Sequence, residues 1–212
     1  MNKILKILFF GLIVKPLTLV ILGLNIRGRK NLPKHGPAII AANHNSHLDT
    51  MVLMGLYPLS KVHKIRPVAA ADYFFKNRFL KWFALNIVGI IPLERHGRKS
   101  KEDLFAGCKE ALENEDILIL YPEGSRGDAG KMSELKKGIF YISNLVEKTA
   151  VTPVVMNGLN KALPKGEALL VPFNCDVIIG EQVFSGDCAD EFIKDLKENF
   201  DRLFKKCLTY HE

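Results

Sequence analysis

The first 48 residues of the chain contain no aspartate or glutamate. Seven of the 30 lysines and arginines lie there, and the other 23 are matched by the 23 acids of the whole chain, so the net charge of +7 belongs to this segment. A local excess of positive charge indicates binding to a nucleic acid or an anionic membrane. Since no nucleic-acid recognition motif is present and the bases are mixed with a long apolar stretch, we expect a membrane surface as partner and no nucleic acid.

The chain has only four cysteines, and they are scattered along the sequence. No two of the four cysteines form a Cys-x-x-Cys pair; they are Cys108, Cys175, Cys188 and Cys207. This pattern argues against a disulfide framework and against a zinc site, so we expect free thiols in a reducing cytoplasm. His44 and His47 lack a matching group of acidic or cysteine ligands at metal-binding spacing, and no metal is expected.

The apolar stretch 4–24 lacks the uninterrupted length of a membrane span. A span needs about 20 largely apolar residues, and Lys6, Lys15 and Pro16 interrupt this one. No small-x-small cleavage site of a signal peptide follows it. We expect two short helices or a helical hairpin in one leaflet, with a single span or a soluble core segment as alternatives. The stretch "YFFKNRFLKWF" (73–83) also resembles an interfacial helix, although a core helix with snorkelling lysines has the same pattern.

Behind residue 24, apolar runs alternate with helical patterns. The predicted strands are 38–42, 67–71, 87–93, 116–121, 151–156 and 177–180. The predicted helices are 47–57, 72–86, one that begins with a capping box at Ser100 and Asp103, 138–148 and 190–207. This alternation predicts an α/β domain, with a largely parallel sheet flanked by helices. We therefore expect a membrane-associated helical segment over residues 1–24 and a single domain over residues 25–212.

The segment "NHNSHLD" (43–49) follows a predicted buried strand, at the end of a parallel sheet where ligands bind. It could be an ordinary polar loop with Asp49 as helix cap, a metal site, or a histidine base with an orienting aspartate. His44 and Asp49 are spaced to meet across one turn, and His47 is an alternative base. A histidine base here could take a proton from an alcohol as the alcohol attacks an acyl carbonyl. Because no serine or cysteine lies in a nucleophile elbow, direct transfer of the acyl group is favoured over a covalent acyl-enzyme.

The segment "YPEGSRGD" (121–128) follows the strongest predicted strand. Its glycines permit a tight turn with exposed backbone N–H groups, and Arg126 offers a fork that suits a phosphate. Glu123 beside Arg126 indicates an oriented site. The segment "GIIPLERHGRKS" (89–100) provides Arg95 as a second cationic contact, or it is a solvated basic loop.

In this order, these segments resemble the motifs of the glycerolipid acyltransferases, specifically the 1-acylglycerol-3-phosphate (lysophosphatidate) acyltransferase family. The motifs are Asn-His-x-x-x-x-Asp, Gly-x-Ile-x-x-x-Arg, Pro-Glu-Gly-Thr/Ser-Arg and Val/Ile-x-Pro-Val. Here they read "NHNSHLD", "GIIPLER", "PEGSR" and "VTPVV". The departures are small: Ser125 replaces the commoner threonine and keeps its hydroxyl, Gly127 replaces a frequent serine, and Tyr121 replaces a frequent phenylalanine.

The resemblance implies roles for these residues. His44 would be the general base and Asp49 its orienting partner. The glycerol phosphate of the acceptor would be held by Arg95, Glu123, Gly124, Ser125 and Arg126. The implied reaction moves a fatty acyl group from a thioester of coenzyme A or acyl carrier protein to the sn-2 hydroxyl of lysophosphatidic acid, at the cytoplasmic face of the cell membrane and with no cofactor. Another lysophospholipid or a lyso-aminolipid as acceptor, and a lipid-binding protein without turnover, are the alternatives.

Overall fold

A mostly parallel sheet forms the centre of the molecule. The structure, a computed structural model, describes residues 2–18, 22–46, 48–74, 77–94, 100–127, 132–162 and 174–208. Its strands are β1 (Gly23–Arg27), β2 (Ala38–Ala42), β3 (Ile65–Ala70), β4 (Ile91–Leu93), β5 (Ile117–Leu120), β6 (Ala150–Asn157) and β7 (Asn174–Ile179). They lie in the order β1-β7-β6-β2-β5-β3-β4, and each neighbouring pair is parallel except β6 with β7. The predicted α/β class with a largely parallel sheet is confirmed.

Helices cover both faces of the sheet. They are α1 (Lys3–Phe9), α2 (Leu48–Gly55), α3 (Ala71–Phe74), α4 (Arg78–Phe83), α5 (Lys101–Glu113), α6 (Gly138–Ser143), α7 (Leu159–Ala162) and α8 (Ala189–Phe204). Single π-helical turns extend α1 over Phe10–Val14 and α4 over Ala84–Val88. The predicted cap of α5 is present, since the Ser100 hydroxyl accepts the Asp103 N–H at 3.1 Å.

Alternate side chains of β5 enter two separate cores. Ile117 and Ile119 pack in a core with the segment from α1 to its π-helical turn, with α2 and with the turn after α4. Leu118 and Leu120 pack in the other core, against α5, α6 and α8. Because both faces are covered, the central strands are apolar along their whole length rather than alternating. This is why 38–42 and 116–121 are recognisable as strands in the sequence.

Three predicted elements are wrong in part. The helix predicted over 72–86 is interrupted at Asn77, whose extended backbone and side chain cap α4, so α3 and α4 stand in its place. The segment 87–93 was predicted as one strand, but its first residues belong to the π-helical turn, and Gly89 at φ +77° ends that turn before β4. A helix was predicted over 138–148, but α6 ends at Ser143. There the Asn144 side chain donates to the Phe140 carbonyl oxygen at 2.9 Å, which competes with continuation of the helix. The edge strand β1 was not predicted at all.

The N-terminal segment has one face turned to the core and one turned outward. Phe10 and Val14 are buried, whereas Ile4 is 70% exposed and Leu12 is 74% exposed. Phe9 packs edge-to-face on Phe83, with ring centroids 5.2 Å apart, and so joins this segment to the end of α4. Among the described residues, no helix has the length and apolar character that crossing a bilayer requires.

Lys6, one of the interruptions in the apolar stretch, lies inside the protein. Its side chain is fully buried, and its Nζ donates to the carbonyl oxygen of Ile65 at 2.8 Å. Burial lowers the pKa of Lys6 to about 7; Arg66 adds to the fall and Asp116 opposes it. The lysine therefore serves as a polar contact between α1 and the start of β3.

Candidate active site

Two turns meet at the carboxyl ends of the neighbouring parallel strands β2 and β5. Residues 43–46 follow β2, and residues 121–127 follow β5. The first turn is fastened to a third strand by Asn43, whose buried side-chain amide donates to the Met156 carbonyl oxygen at 2.8 Å and accepts from its N–H at 2.7 Å. The two predicted motifs are thus brought to one place, at the edge of the sheet where ligands bind in such folds.

His44 and Asp49 form a hydrogen-bonded pair. His44 Nδ1 lies 2.9 Å from Asp49 Oδ2, and the side chains are 21% and 1% exposed respectively. The same carboxylate oxygen accepts the N–H groups of Asn45 at 2.7 Å and Ser46 at 2.8 Å. A carboxylate held in this way accepts a hydrogen bond from Nδ1–H, and with the proton on Nδ1 the lone pair of a neutral imidazole lies on Nε2. The predicted contact is present, and it is the geometry that a base oriented by a carboxylate requires.

Tyr121 supports the imidazole from one side, and this contact was not predicted. The two rings stack with centroids 4.0 Å apart and planes 19° apart. The Tyr121 hydroxyl shares a hydrogen bond of 2.7 Å with Thr50 Oγ1 on α2. Burial, together with the charge of Asp49, raises the pKa of Tyr121 well above its usual value, so the phenol is neutral. An aromatic residue immediately before "PEG" was the only sign of this contact in the sequence.

Glu123 holds the two turns together. Its buried carboxylate accepts the His44 N–H on Oε1 at 2.8 Å and the Ser133 N–H on Oε2 at 2.8 Å. In return, the Gly127 N–H donates to the His44 carbonyl oxygen at 3.0 Å. Both polar groups of the His44 backbone are therefore bonded to the second turn. The resemblance implied that Glu123 contacts the acceptor substrate; in the structure its oxygens accept the backbone N–H groups of His44 and Ser133.

The second turn is open to solvent over part of its length. Gly124 has φ +75°, a backbone conformation that strains other residues. Ser125 and Arg126 are exposed, and the Arg126 guanidinium lies 5.7 Å from the centre of the Tyr73 ring. Arg95 and His47 lie outside the described residues. Within the described ranges, no group of three or more histidine, cysteine or acidic side chains is arranged to hold a metal ion.

An apolar cavity of about 380 Å³, the first cavity, opens at this site. His44, Tyr121, Gly124, Ser125 and Arg126 belong to its lining. Its apolar walls come from β3, α3, and α4 with its π-helical turn; they include Val68, Phe74, Leu80, Phe83 and Val88. His44 therefore faces a largely apolar space whose other polar side chains are the hydroxyls of Thr50, Tyr73, Tyr121 and Ser125 and the guanidinium of Arg126.

The family model described as acyltransferase matches residues 23–157, a range that contains both turns and the strands before them. The chain belongs to the acyltransferase family. Its curated relatives point to the glycerolipid branch of that family, as the motifs implied.

Two longer curated proteins are similar to this chain over part of their length. The chain is 32% identical over 171 residues to a chloroplastic 1-acyl-sn-glycerol-3-phosphate acyltransferase of Arabidopsis thaliana, covering 79% of this chain and 45% of the relative. It is 24% identical over 153 residues to 1-acyl-sn-glycerol-3-phosphate acyltransferase alpha of Homo sapiens, covering 72% of this chain and 52% of the relative. The chain thus spans about half the length of the curated relatives it matches.

A solved structure shares the fold of this acyltransferase. The crystal structure of the 1-acyl-sn-glycerophosphate (LPA) acyltransferase from Thermotoga maritima matches it with a TM-score of 0.74 and 23% sequence identity. The match covers 97% of this chain and 81% of the other. At this level of identity the comparison establishes a common architecture.

Proposed function

We propose that this acyltransferase moves a fatty acyl group from a thioester to the sn-2 hydroxyl of lysophosphatidic acid, giving phosphatidic acid. The observation that carries the proposal is the His44–Asp49 pair, 2.9 Å apart, at an apolar cavity that also presents Arg126. The pair supplies a base, the cavity suits an alkyl chain, and the guanidinium suits a phosphate. The names of the curated relatives support the same acceptor.

In the proposed step, Asp49 holds the Nδ1 proton and His44 Nε2 accepts the proton of the acceptor hydroxyl. The hydroxyl oxygen bonds to the thioester carbonyl carbon, and the carbon–sulfur bond then breaks. The thiolate leaves with the proton that His44 received, so the imidazole returns to its starting state. The carrier of the thioester, coenzyme A or acyl carrier protein, is a co-substrate, and the step uses no cofactor.

The first cavity is the proposed site for the donor's acyl chain. Its apolar walls favour a chain by about 0.8 kcal/mol for each methylene removed from water. A chain held there would end with its carbonyl near His44, since that residue belongs to the lining.

Arg126 is the proposed contact for the acceptor's phosphate, with the Ser125 hydroxyl beside it; Arg95 remains a predicted second cation. We expect Arg126→Ala to raise the KM for lysophosphatidic acid at least tenfold, with little change in the KM for the thioester, because a charge-assisted hydrogen bond is lost. Arg126→Lys keeps the charge without the fork and should recover part of the loss. Equal effects on both substrates would remove Arg126 from the phosphate site.

A membrane surface is the proposed location, at the cytoplasmic face. The exposed apolar side chains of the N-terminal segment and α4 support it; they are Ile4, Leu8, Leu12, Ile13, Phe79 and Trp82. We expect the double variant Leu12→Glu, Phe79→Glu to float poorly with anionic vesicles, because charges would replace apolar side chains that enter the lipid. Phe184→Glu alters an exposed aromatic in another part of the chain and is the matched control. Undiminished flotation of the double variant would contradict this placement.

The test of the reaction is thiol release from a long-chain acyl-coenzyme A, with a panel of lysolipids and the His44→Ala protein as control. Release that requires both lysophosphatidic acid and His44 supports the reaction and the acceptor. Release with another lysolipid keeps the chemistry and changes the acceptor. If acyl-coenzyme A and acyl carrier protein thioesters both fail with every lysolipid, the proposed reaction is contradicted, and a lipid-binding protein without turnover is the alternative.

A further inference from the structure

A second cavity, of about 390 Å³, lies on the other side of the second turn, residues 121–127. Tyr121, Gly124 and Ser125 line both cavities. The second cavity lies on the opposite face of the sheet, because its walls belong to the core of α5 and α6. Its apolar walls are Leu93, Leu104, Phe105, Leu120, Ile139 and Ile142. One turn therefore separates two spaces of nearly equal size.

The two charged residues in the lining of the second cavity, Glu123 and Lys136, do not make its interior polar. Glu123 accepts two backbone N–H groups, as described above. The Lys136 side chain is 63% exposed, and its Nζ donates to Glu134 at 3.2 Å, so it lies at the rim. If the carrier of the donor entered this cavity through a polar arm with amide groups, those groups would lose their hydrogen bonds to water and find few replacements in the apolar walls. An alkyl chain has no such groups to satisfy.

We propose that the second cavity binds the alkyl chain that the lysolipid acceptor already carries. This inference rests on the proposed function, because the product of that reaction has two chains on neighbouring oxygens of one glycerol. With the donor's chain in the first cavity, the chain of the acceptor takes the apolar space across the same turn. The head group then lies between them, next to the exposed Ser125 and Arg126.

Gly138 offers a way to fill the second cavity without disturbing its walls. It lines the cavity at the start of α6, and a Cβ added there would meet no other atom within 4 Å. Gly186 has equally open surroundings, and it lines neither cavity. Because Gly138 belongs to the lining and its Cβ would have open space, Gly138→Leu is the variant chosen to add bulk at the second cavity, and Gly186→Leu is its matched control. Leu104→Ala, on α5, acts in the opposite direction by enlarging the cavity.

The experiment measures kcat/KM for lysophosphatidic acids whose chains have six, eight and ten carbons, with one donor thioester held constant. In the unaltered protein we expect kcat/KM to rise by up to about fourfold per added methylene, as the chain enters apolar walls. Gly138→Leu should flatten this rise, with a loss of about tenfold or more at ten carbons and little change at six. Gly186→Leu should match the unaltered protein, and Leu104→Ala should extend the rise to longer chains.

Three results would overturn the inference. An equal loss for all three acceptors would mean that Gly138→Leu harms catalysis and not chain binding. A raised KM for the donor, with an unchanged acceptor series, would place the donor in this cavity. An unchanged series in both cavity variants would mean that neither substrate uses it.

Failure of the proposed function gives a different pattern, because the unaltered protein then turns over none of the acceptors. In that case the same three lysophosphatidic acids are titrated by calorimetry into the unaltered and Gly138→Leu proteins. A chain-length dependence of the affinity that Gly138→Leu removes would still support the cavity as an alkyl site. A dependence that survives, or none at all, would exclude it.

Discussion

The imidazole of His44 lies flat against the phenol ring of Tyr121, with the ring centroids 4.0 Å apart. The Tyr121 hydroxyl is in turn bonded to Thr50, on the same helix as Asp49. The imidazole of His44 is therefore held at its edge by a carboxylate and on its face by an aromatic ring. Rotation of the imidazole away from Asp49 would break both contacts.

We expect Tyr121→Phe to lower stability by about 1 kcal/mol, because Thr50 loses its partner in a half-buried place. For a chain of 212 residues, this corresponds to a fall in Tm of about 2–4 °C. Activity should change less than tenfold, since the stacking ring remains. Tyr121→Leu removes the ring as well and should lower kcat further than Tyr121→Phe does. Equal kcat values for the two variants would show that stacking does not position His44.

Asp49→Asn should lower kcat by a factor on the order of 10³ while the protein stays folded. The amide can still accept a backbone N–H, but its NH₂ can donate to Nδ1 and so favour the tautomer with the proton on Nε2. That tautomer cannot accept the proton of the substrate. Steady-state kinetics, with circular dichroism as a check on folding, measures the effect. A loss confined to KM would indicate that Asp49 acts in substrate binding instead.

Glu123→Gln should destabilise the protein as well as slow it. The carboxylate accepts N–H groups on both oxygens, and a glutamine must turn its own donor toward one of them. Loss of a buried hydrogen bond to a charged group costs about 1.5–3 kcal/mol. Thermal unfolding and kcat should fall together. A variant with normal stability and a raised KM for the acceptor would restore the substrate-contact role that the motif implied.

Lys6→Met should change the pH dependence of stability. The pKa of Lys6 is about 7 when folded and has a reference value of 10.5. Between these values the unfolded chain binds more protons, so this group makes the protein more stable as pH rises above 7, by up to about 1.4 kcal/mol per pH unit. Below pH 7 Lys6 is charged in both the folded and the unfolded protein, so its unfavourable contribution to the free energy of unfolding is at its largest and no longer changes with pH.

Urea unfolding between pH 6 and pH 8.5 measures the free energy of unfolding of the Lys6→Met and unaltered proteins. The difference between the two free energies should shrink as the pH rises above 7. The buried thiols are common to both proteins, so their titration cancels. Parallel profiles for Lys6→Met would show that Lys6 stays charged in its buried position.

The parts of the fold that the sequence predicted correctly depend on local patterns. The all-apolar run 38–42 is a central strand because both faces of β2 are covered, and the position of His44 at its end follows from that. The run 87–93 misled because a short apolar run fits a strand or a buried helical turn equally well. β1 was missed because it continues directly from the apolar N-terminal stretch.

The contacts of the site were less predictable than its residues. The spacing of His44 and Asp49 predicted their meeting, because both belong to one turn and the helix after it. The bonds of Glu123 and the stacking of Tyr121 join segments far apart in sequence, and no periodicity encodes the distance between two turns. The catalytic roles of these residues stay predictions until the variants are measured.

The backbone of His44 is bonded on both sides to residues of the second turn, one through Glu123 and one through Gly127. The two motifs are separated by 79 positions between His44 and Glu123, but these hydrogen bonds join them into one rigid unit. An insertion or deletion in either would move the base and the proposed phosphate contact together. Graft experiments that carry this chemistry to another parallel sheet must transplant both turns at once, on adjacent strands.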